Sequence, residues 1–67
     1  MFNKNKLNAK IIEKGFSVQE IAKLLGINSS TLYRKMNSET DFTRNEIAML
    51  REYLDFSLDE MNDIFFA

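Results

Sequence analysis

The side chains best suited to chemistry in this sequence are Asn28, Ser29, Ser30, Tyr33 and Arg34, a cluster of hydrogen-bonding groups within seven residues. On a helix beginning at residue 29 they form the outer face, with Asn28 at its entry. The chemistry is recognition. The Arg34 fork matches guanine O6 and N7 bidentately, and Ser29 and Ser30 are short enough to let a helix approach base edges closely. Tyr33 can touch a thymine methyl or a phosphate, or it can close the edge of a core. Lys23 and Lys35 are within reach of phosphates. Gln19 falls in the first turn of another helix, where free backbone N–H groups and a positive dipole suit a phosphate; the other reading is an ordinary exposed glutamine.

Catalysis lacks its usual parts. There is no His and no Cys. The Ser and Thr residues have no neighbouring base and mostly serve as helix caps. Asp59, Glu60 and Asp63 form a carboxylate cluster on the last helix, but Glu60 has a capping position and Asp59 suits a helix N-terminus. The two glycines, Gly15 and Gly26, stand alone and build no phosphate loop. The expectation is a binding protein and not an enzyme, with no metal, cofactor or small-molecule ligand.

The elements that must position these residues start with Ser17 to Met36, SVQEIAKLLGINSSTLYRKM. Ala22 sits where two helices approach closely. Gly26, four residues later, ends the first of them in a left-handed cap, which Gly adopts without a Cβ penalty. Ile27 plugs the corner and Leu32 faces back toward Ile21 and Leu25. This spacing is that of a helix-turn-helix, which lays its second helix in a DNA major groove.

A start signal recurs along the whole chain: an apolar residue, a capping residue, then an apolar residue four positions on. It occurs at Phe2-Asn3, Phe16-Ser17, Ile27-Asn28, Phe42-Thr43 and Phe56-Ser57. Each is a hydrophobic staple around an N-cap, and Glu20, Glu46 and Glu60 complete three of them as capping boxes. The signals predict five helices, over 4–14, 18–25, 29–36, 44–54 and 58–65. Residues 37–41 form the one polar loop. Period-two alternation is absent, so no sheet is expected. The predicted core is Leu7, Ile11, Phe16, Ile21, Ala22, Leu25, Ile27, Leu32, Met36, Phe42, Ile47, Leu50, Leu54, Phe56, Leu58, Met61 and Phe65.

Sixty-seven residues allow one domain, 1–67, with a small core and no disulfide or zinc to staple it. No apolar run approaches the ~20 residues that span a bilayer. The start, MFNKNKLNAKII, has positive charge without a sustained apolar stretch, so no signal peptide is expected, and a cytoplasmic location in a bacterial host fits.

The net charge of −1 conceals an asymmetry. Residues 1–36 carry seven basic side chains against Glu13 and Glu20, a net of +5; residues 37–67 carry Arg44 and Arg51 against eight acids, a net of −6. Two faces with different partners are expected, nucleic acid for the basic half. With Leu58, Met61 and Phe65 assigned inward, Ile64 and Phe66 are left as an exposed apolar patch rimmed by Asp59, Asn62 and Asp63. That patch predicts contact with a second copy or another protein. The alternative is that Phe66 folds back against Phe2.

From FSVQEIAKLLGINSSTLYRKMNSETDFTRNEI the chain resembles the Cro and repressor class of helix-turn-helix proteins, most of all small Cro-like regulators encoded by phages of Gram-positive bacteria. KLNAKIIEKGFS, DFTRNEIAML and FSLDEMNDIFF extend the resemblance over nearly the whole length. It implies an all-α, compact five-helix domain of the lambda-repressor type that binds double-stranded operator DNA in the choice between lysis and lysogeny. DNA contacts are implied at Gln19, Asn28, Ser29, Ser30, Tyr33 and Arg34. As a DNA-binding regulator the chain is expected to act as a pair of subunits, a homodimer; some phage modulators of this kind act instead as antirepressors, by binding the phage repressor protein. The chain departs from the pattern at Ser38, where Gly is usual, and in its acidic loop.

Overall fold

The capping signals fix where the backbone turns. A computed structural model describes all 67 residues. It contains five helices and no strand: α1 (Lys4–Glu13), α2 (Val18–Leu25), α3 (Ser29–Met36), α4 (Arg44–Leu54) and α5 (Leu58–Phe65). Asn3, Ser17, Asn28, Thr43 and Ser57 are the five N-caps, each accepting from the backbone N–H three residues on. Ser17–Glu20, Thr43–Glu46 and Ser57–Glu60 are complete capping boxes. Ser or Thr caps contribute about 1 kcal/mol each, which matters in so small a chain.

Three helix ends share one closing device. At α1, Phe16 N–H donates to the Ile11 carbonyl and Gly15 N–H to that of Ile12. At α2 the pairs are Ile27 to Ala22 and Gly26 to Lys23; at α3 they are Glu39 to Arg34 and Ser38 to Lys35. This is the Schellman pattern, which needs a left-handed residue at its corner. Gly15 (φ 80°) and Gly26 (φ 74°) supply it without strain, and Ser38 adopts it at φ 62° despite its Cβ. Asp55 ends α4 in the same left-handed region.

Twelve residues form the buried core: Leu7, Ile11, Ile21, Ala22, Leu25, Leu32, Met36, Leu50, Leu54, Phe56, Ile64 and Phe65. Phe16, Ile27, Phe42, Ile47 and Met61 are half-buried against it. Two assignments on α5 exchange. Leu58, expected inside, is 59% exposed; Ile64, expected on a surface patch, is only 3% exposed. The cause is α1, which packs on the Ile64 side of α5, with Asn3 N–H donating to the Ile64 carbonyl at 2.6 Å. That turns the buried arc to Met61, Ile64 and Phe65 and leaves Leu58, at the other edge in the first turn, in solvent. Phe65 centres an aromatic cluster with Phe2 (5.6 Å between centroids), Phe42 (5.5 Å) and Phe56 (6.4 Å), joining the chain start, the α3–α4 loop and α5.

Two interhelical ion pairs add to the packing. Lys10 of α1 meets Glu60 of α5 and reaches Glu13 at 3.4 Å. Lys35 of α3 lies 3.0 Å from Glu46 of α4. No helix is long and apolar enough to cross a membrane.

Candidate nucleic-acid interface

The α2 and α3 helices pack on each other, and the side chains they bury in the core are Ile21, Ala22, Leu25, Leu32 and Met36. Ala22 is buried at their approach and Gly26 makes the corner between them. This packing turns one side of α3 outward. Ser30, Tyr33 and Arg34, at i, i+3 and i+4, are exposed, and Ser29 is half-exposed at the start of the stripe. Arg34 makes no ion pair within the chain, so its guanidinium is free to meet a ligand.

Asn28 organises the entry. Its Oδ1 accepts from Thr31 N–H at 3.0 Å, from the Thr31 hydroxyl at 2.6 Å and from the Ser30 hydroxyl at 3.0 Å. The side chain is therefore first a cap, and only its amide NH2 is left to donate outward. Because the Ser30 hydroxyl proton is directed at Asn28, the Ser30 oxygen faces solvent as an acceptor. At the start of α2, the capping box takes up the Ser17 and Glu20 N–H groups. The Val18 and Gln19 N–H groups have no partner in the chain, and the Gln19 side chain is exposed beside them. Those N–H groups can donate to a phosphate oxygen. Lys23 is exposed on the same helix.

Lys35 does not fit the phosphate-contact expectation. Its ammonium donates to the Asp41 carbonyl at 3.0 Å and pairs with Glu46, and the two side chains are 11% and 12% exposed. It is a brace between α3 and α4. Burial works against the Glu46 carboxylate, but the Thr43 N–H and Lys35 together hold its pKa below the ordinary value. Lys10 is likewise committed: the bond to Glu60 raises its pKa and lowers that of Glu60. The free positive charge of the first half is therefore Lys4, Lys6, Lys14, Lys23 and Arg34. Lys4 is one that periodicity did not single out. Its Nζ donates to Asn37 Oδ1 at 2.7 Å, placing an exposed cation at the C-terminal end of α3. Only the contact across 33 residues reveals it.

The patch around Phe66 also differs from expectation. Phe66 is exposed at 58%, but its neighbours are Arg44, Ile47, Ala48, Arg51 and Met61 on α4 and α5. Asp63 and Ile64 instead line a shallow depression against α1, with Lys6, Lys10 and Glu60. On the α4 side the rim beside Phe66 is basic, with Arg44 and Arg51, and not the acidic one of Asp59 and Asp63; Asp41 stands on the opposite side. Phe66 also borders Phe2, Phe42 and Phe65 on its other side, without being buried by them.

Five packed helices, a Gly-cornered helix pair and a free polar stripe on the second of that pair define a helix-turn-helix protein of the DNA-binding regulatory class. The sequence matches the family of bacterial regulatory proteins of the Fis type over residues 5–38, just over half the chain, spanning nearly all of α1 and the whole of α2 and α3. The chain belongs to that family. No curated protein and no solved structure matches it.

Proposed function

We propose that this protein is a transcription regulator that binds operator DNA with α3 in the major groove. The observation that carries the reading is the free outward stripe of Ser30, Tyr33 and Arg34 on the second helix of the helix-turn-helix, with Asn28 and Ser29 at its entry. In this reading Arg34 donates bidentately to a guanine, and Ser30, with its proton turned to Asn28, accepts from adenine N6 or cytosine N4. Tyr33 packs on a thymine methyl. Gln19, with the free N–H groups at the start of α2, and Lys23 and Lys4 hold phosphates and set the register. Two subunits reading half-sites about one helical turn, ~34 Å, apart would provide an operator-length footprint. The finer role, a phage Cro-like switch between lysis and lysogeny, rests on the resemblance to Cro-like regulators over all five helices. The test is fluorescence anisotropy on promoter fragments of the source genome at low salt, with Arg34→Ala alongside. Binding that weakens and loses preference at one base pair in the variant supports the reading; no binding to any fragment removes it.

A second reading, an antirepressor that acts by binding a repressor protein, is favoured by one observation: the apolar surface around Phe66, on α4 and α5 outside the helix-turn-helix.

A further inference from the structure

Residues 37–67 carry eight acidic side chains and only two basic ones, Arg44 and Arg51. Both basic residues line the same depression between α4 and α5. Its floor is Ile47, Ala48, Met61 and Phe66, and its volume is about 490 Å³. Neither arginine makes an ion pair within the chain, although the half they belong to is rich in acids. Seven residues apart on a helix, they stand on one face with about 10 Å between them along the axis. Ala48 lies between them and keeps the floor low, while Met61 offers a side chain that adapts its shape. No acidic residue lines the groove itself; Glu52 and Asp55 line the adjoining depression that shares Ala48 and Arg51, and neither pairs with Arg51.

We propose that this groove docks an acidic amphipathic segment of another protein, an apolar side chain seated over Ala48 and Met61 and carboxylates bonded to Arg44 and Arg51. The proposal deepens the antirepressor reading and is independent of DNA binding by α3.

Charge complementarity selects this occupant over the others. A second copy related by a two-fold axis through the groove would set Arg44 and Arg51 against their own equivalents, four positive charges together. DNA is disfavoured by geometry. Glu46 points to α3 through Lys35, and at 100° per residue Arg44 and Arg51 lie about 140–160° around α4 from it. The groove therefore faces away from the recognition helix. A pocket of a few hundred Å³ takes one or two apolar side chains, and helix-in-groove recognition uses such anchors at i, i+3, i+4 and i+7.

The test uses the full chain as bait for a displayed library of random 12-residue peptides, followed by binding and NMR shift mapping of the enriched sequences. The expected peptides carry Asp or Glu on both sides of a Phe, Leu or Trp and shift Arg44, Ile47, Ala48, Arg51 and Met61. The double change Arg44→Glu, Arg51→Glu should weaken them at least tenfold, and peptides with Lys in place of their acids should regain the loss. Arg44→Gln, Arg51→Gln provides a second, milder variant, and circular dichroism checks that both fold. Enriched peptides that are neutral or basic, shifts confined to α3, or indifference to the charge reversal would each overturn the proposal. So would a dimer in sedimentation that Phe66→Ser abolishes, which assigns the groove to a second copy. Arg34→Ala should leave peptide binding unchanged, so a failure of the operator reading is distinguishable from a failure of this one.

Discussion

The Lys35 ammonium lies 3.0 Å from the Glu46 carboxylate and locks α3 to α4. Both partners have a second bond: Lys35 to the Asp41 carbonyl, Glu46 to the Thr43 N–H at 2.8 Å. One carboxylate thus starts α4 and orients α3 together. Lys35→Ala should cost about 1–3 kcal/mol of stability, as expected when a charged, shielded hydrogen-bonding group loses its partner. Lys23→Ala should behave in the opposite way. It should change stability by less than about 0.5 kcal/mol and flatten the salt slope of DNA binding by ~1. Thermal melts and salt titrations of the two variants separate brace from phosphate contact. A Lys35→Ala protein that melts normally but has a flatter salt slope would contradict the structure.

The same ion pairs set the pH dependence. Glu46 and Glu60 are both held below the ordinary glutamate value of 4.5. Their contribution is complete above that value and is lost as pH falls through their lower folded values. Lys10 is raised above 10.5, so its contribution is complete below that value and is lost only as pH rises past it. The melting temperature should be flat across neutral pH with respect to these groups and fall in acid below about pH 4.5. Glu46→Gln should lower the neutral plateau and make the acid limb shallower. An acid limb as steep as the parent's would show that Glu46 does not titrate with folding.

Local signals were read well from the sequence, and contacts between distant residues were not. The five caps and three capping boxes depend on residues three apart, so FSVQE, FTRNE and FSLDE were enough to place the starts of α2, α4 and α5. Gly26 placed the corner of the helix-turn-helix for the same reason. Lys35 reads from the sequence as a phosphate contact, because the Glu46 carboxylate that engages it is eleven residues away across a loop. The Phe66 rim was misread because Asp59, Asn62 and Asp63 are its neighbours in sequence, whereas Arg44 and Arg51 are its neighbours in space. Asp55 gave no stop signal, since Asp reaches the left-handed region less readily than Gly.

Ile64 and Phe66 sit two residues apart and should respond very differently to the same change. Ile64 is buried beneath α1, so Ile64→Ser leaves a cavity and buries a hydroxyl, a loss of about 3 kcal/mol or more. Phe66→Ser and Leu58→Ser remove exposed apolar surface and should move stability by less than about 1 kcal/mol. Urea denaturation of the three variants orders them. If Ile64→Ser melted like the parent, the rotation of α5 toward α1 would be wrong.

Ser38 holds a conformation that its side chain opposes. Its N–H and that of Glu39 close α3 in the same pattern that Gly15 and Gly26 close α1 and α2, yet only here does a Cβ sit at the left-handed corner, at φ 62°. A left-handed non-glycine residue costs roughly 1–2 kcal/mol. Glycine removes that strain but gains about 0.5–1 kcal/mol of freedom in the unfolded chain. Ser38→Gly should therefore be a net gain of about 0.5–1 kcal/mol, a rise of several degrees in melting temperature for a chain this size. Ser38→Ala should show no gain, because it keeps the Cβ. Since Ser38 follows α3 directly, a better-formed C-terminus should also reduce fraying of the turn that carries Arg34, seen as slower amide exchange at Asn37, Ser38 and Glu39. Equal melting temperatures for the Gly and Ala variants would mean that the corner is not strained and that the α3 terminus is open in solution.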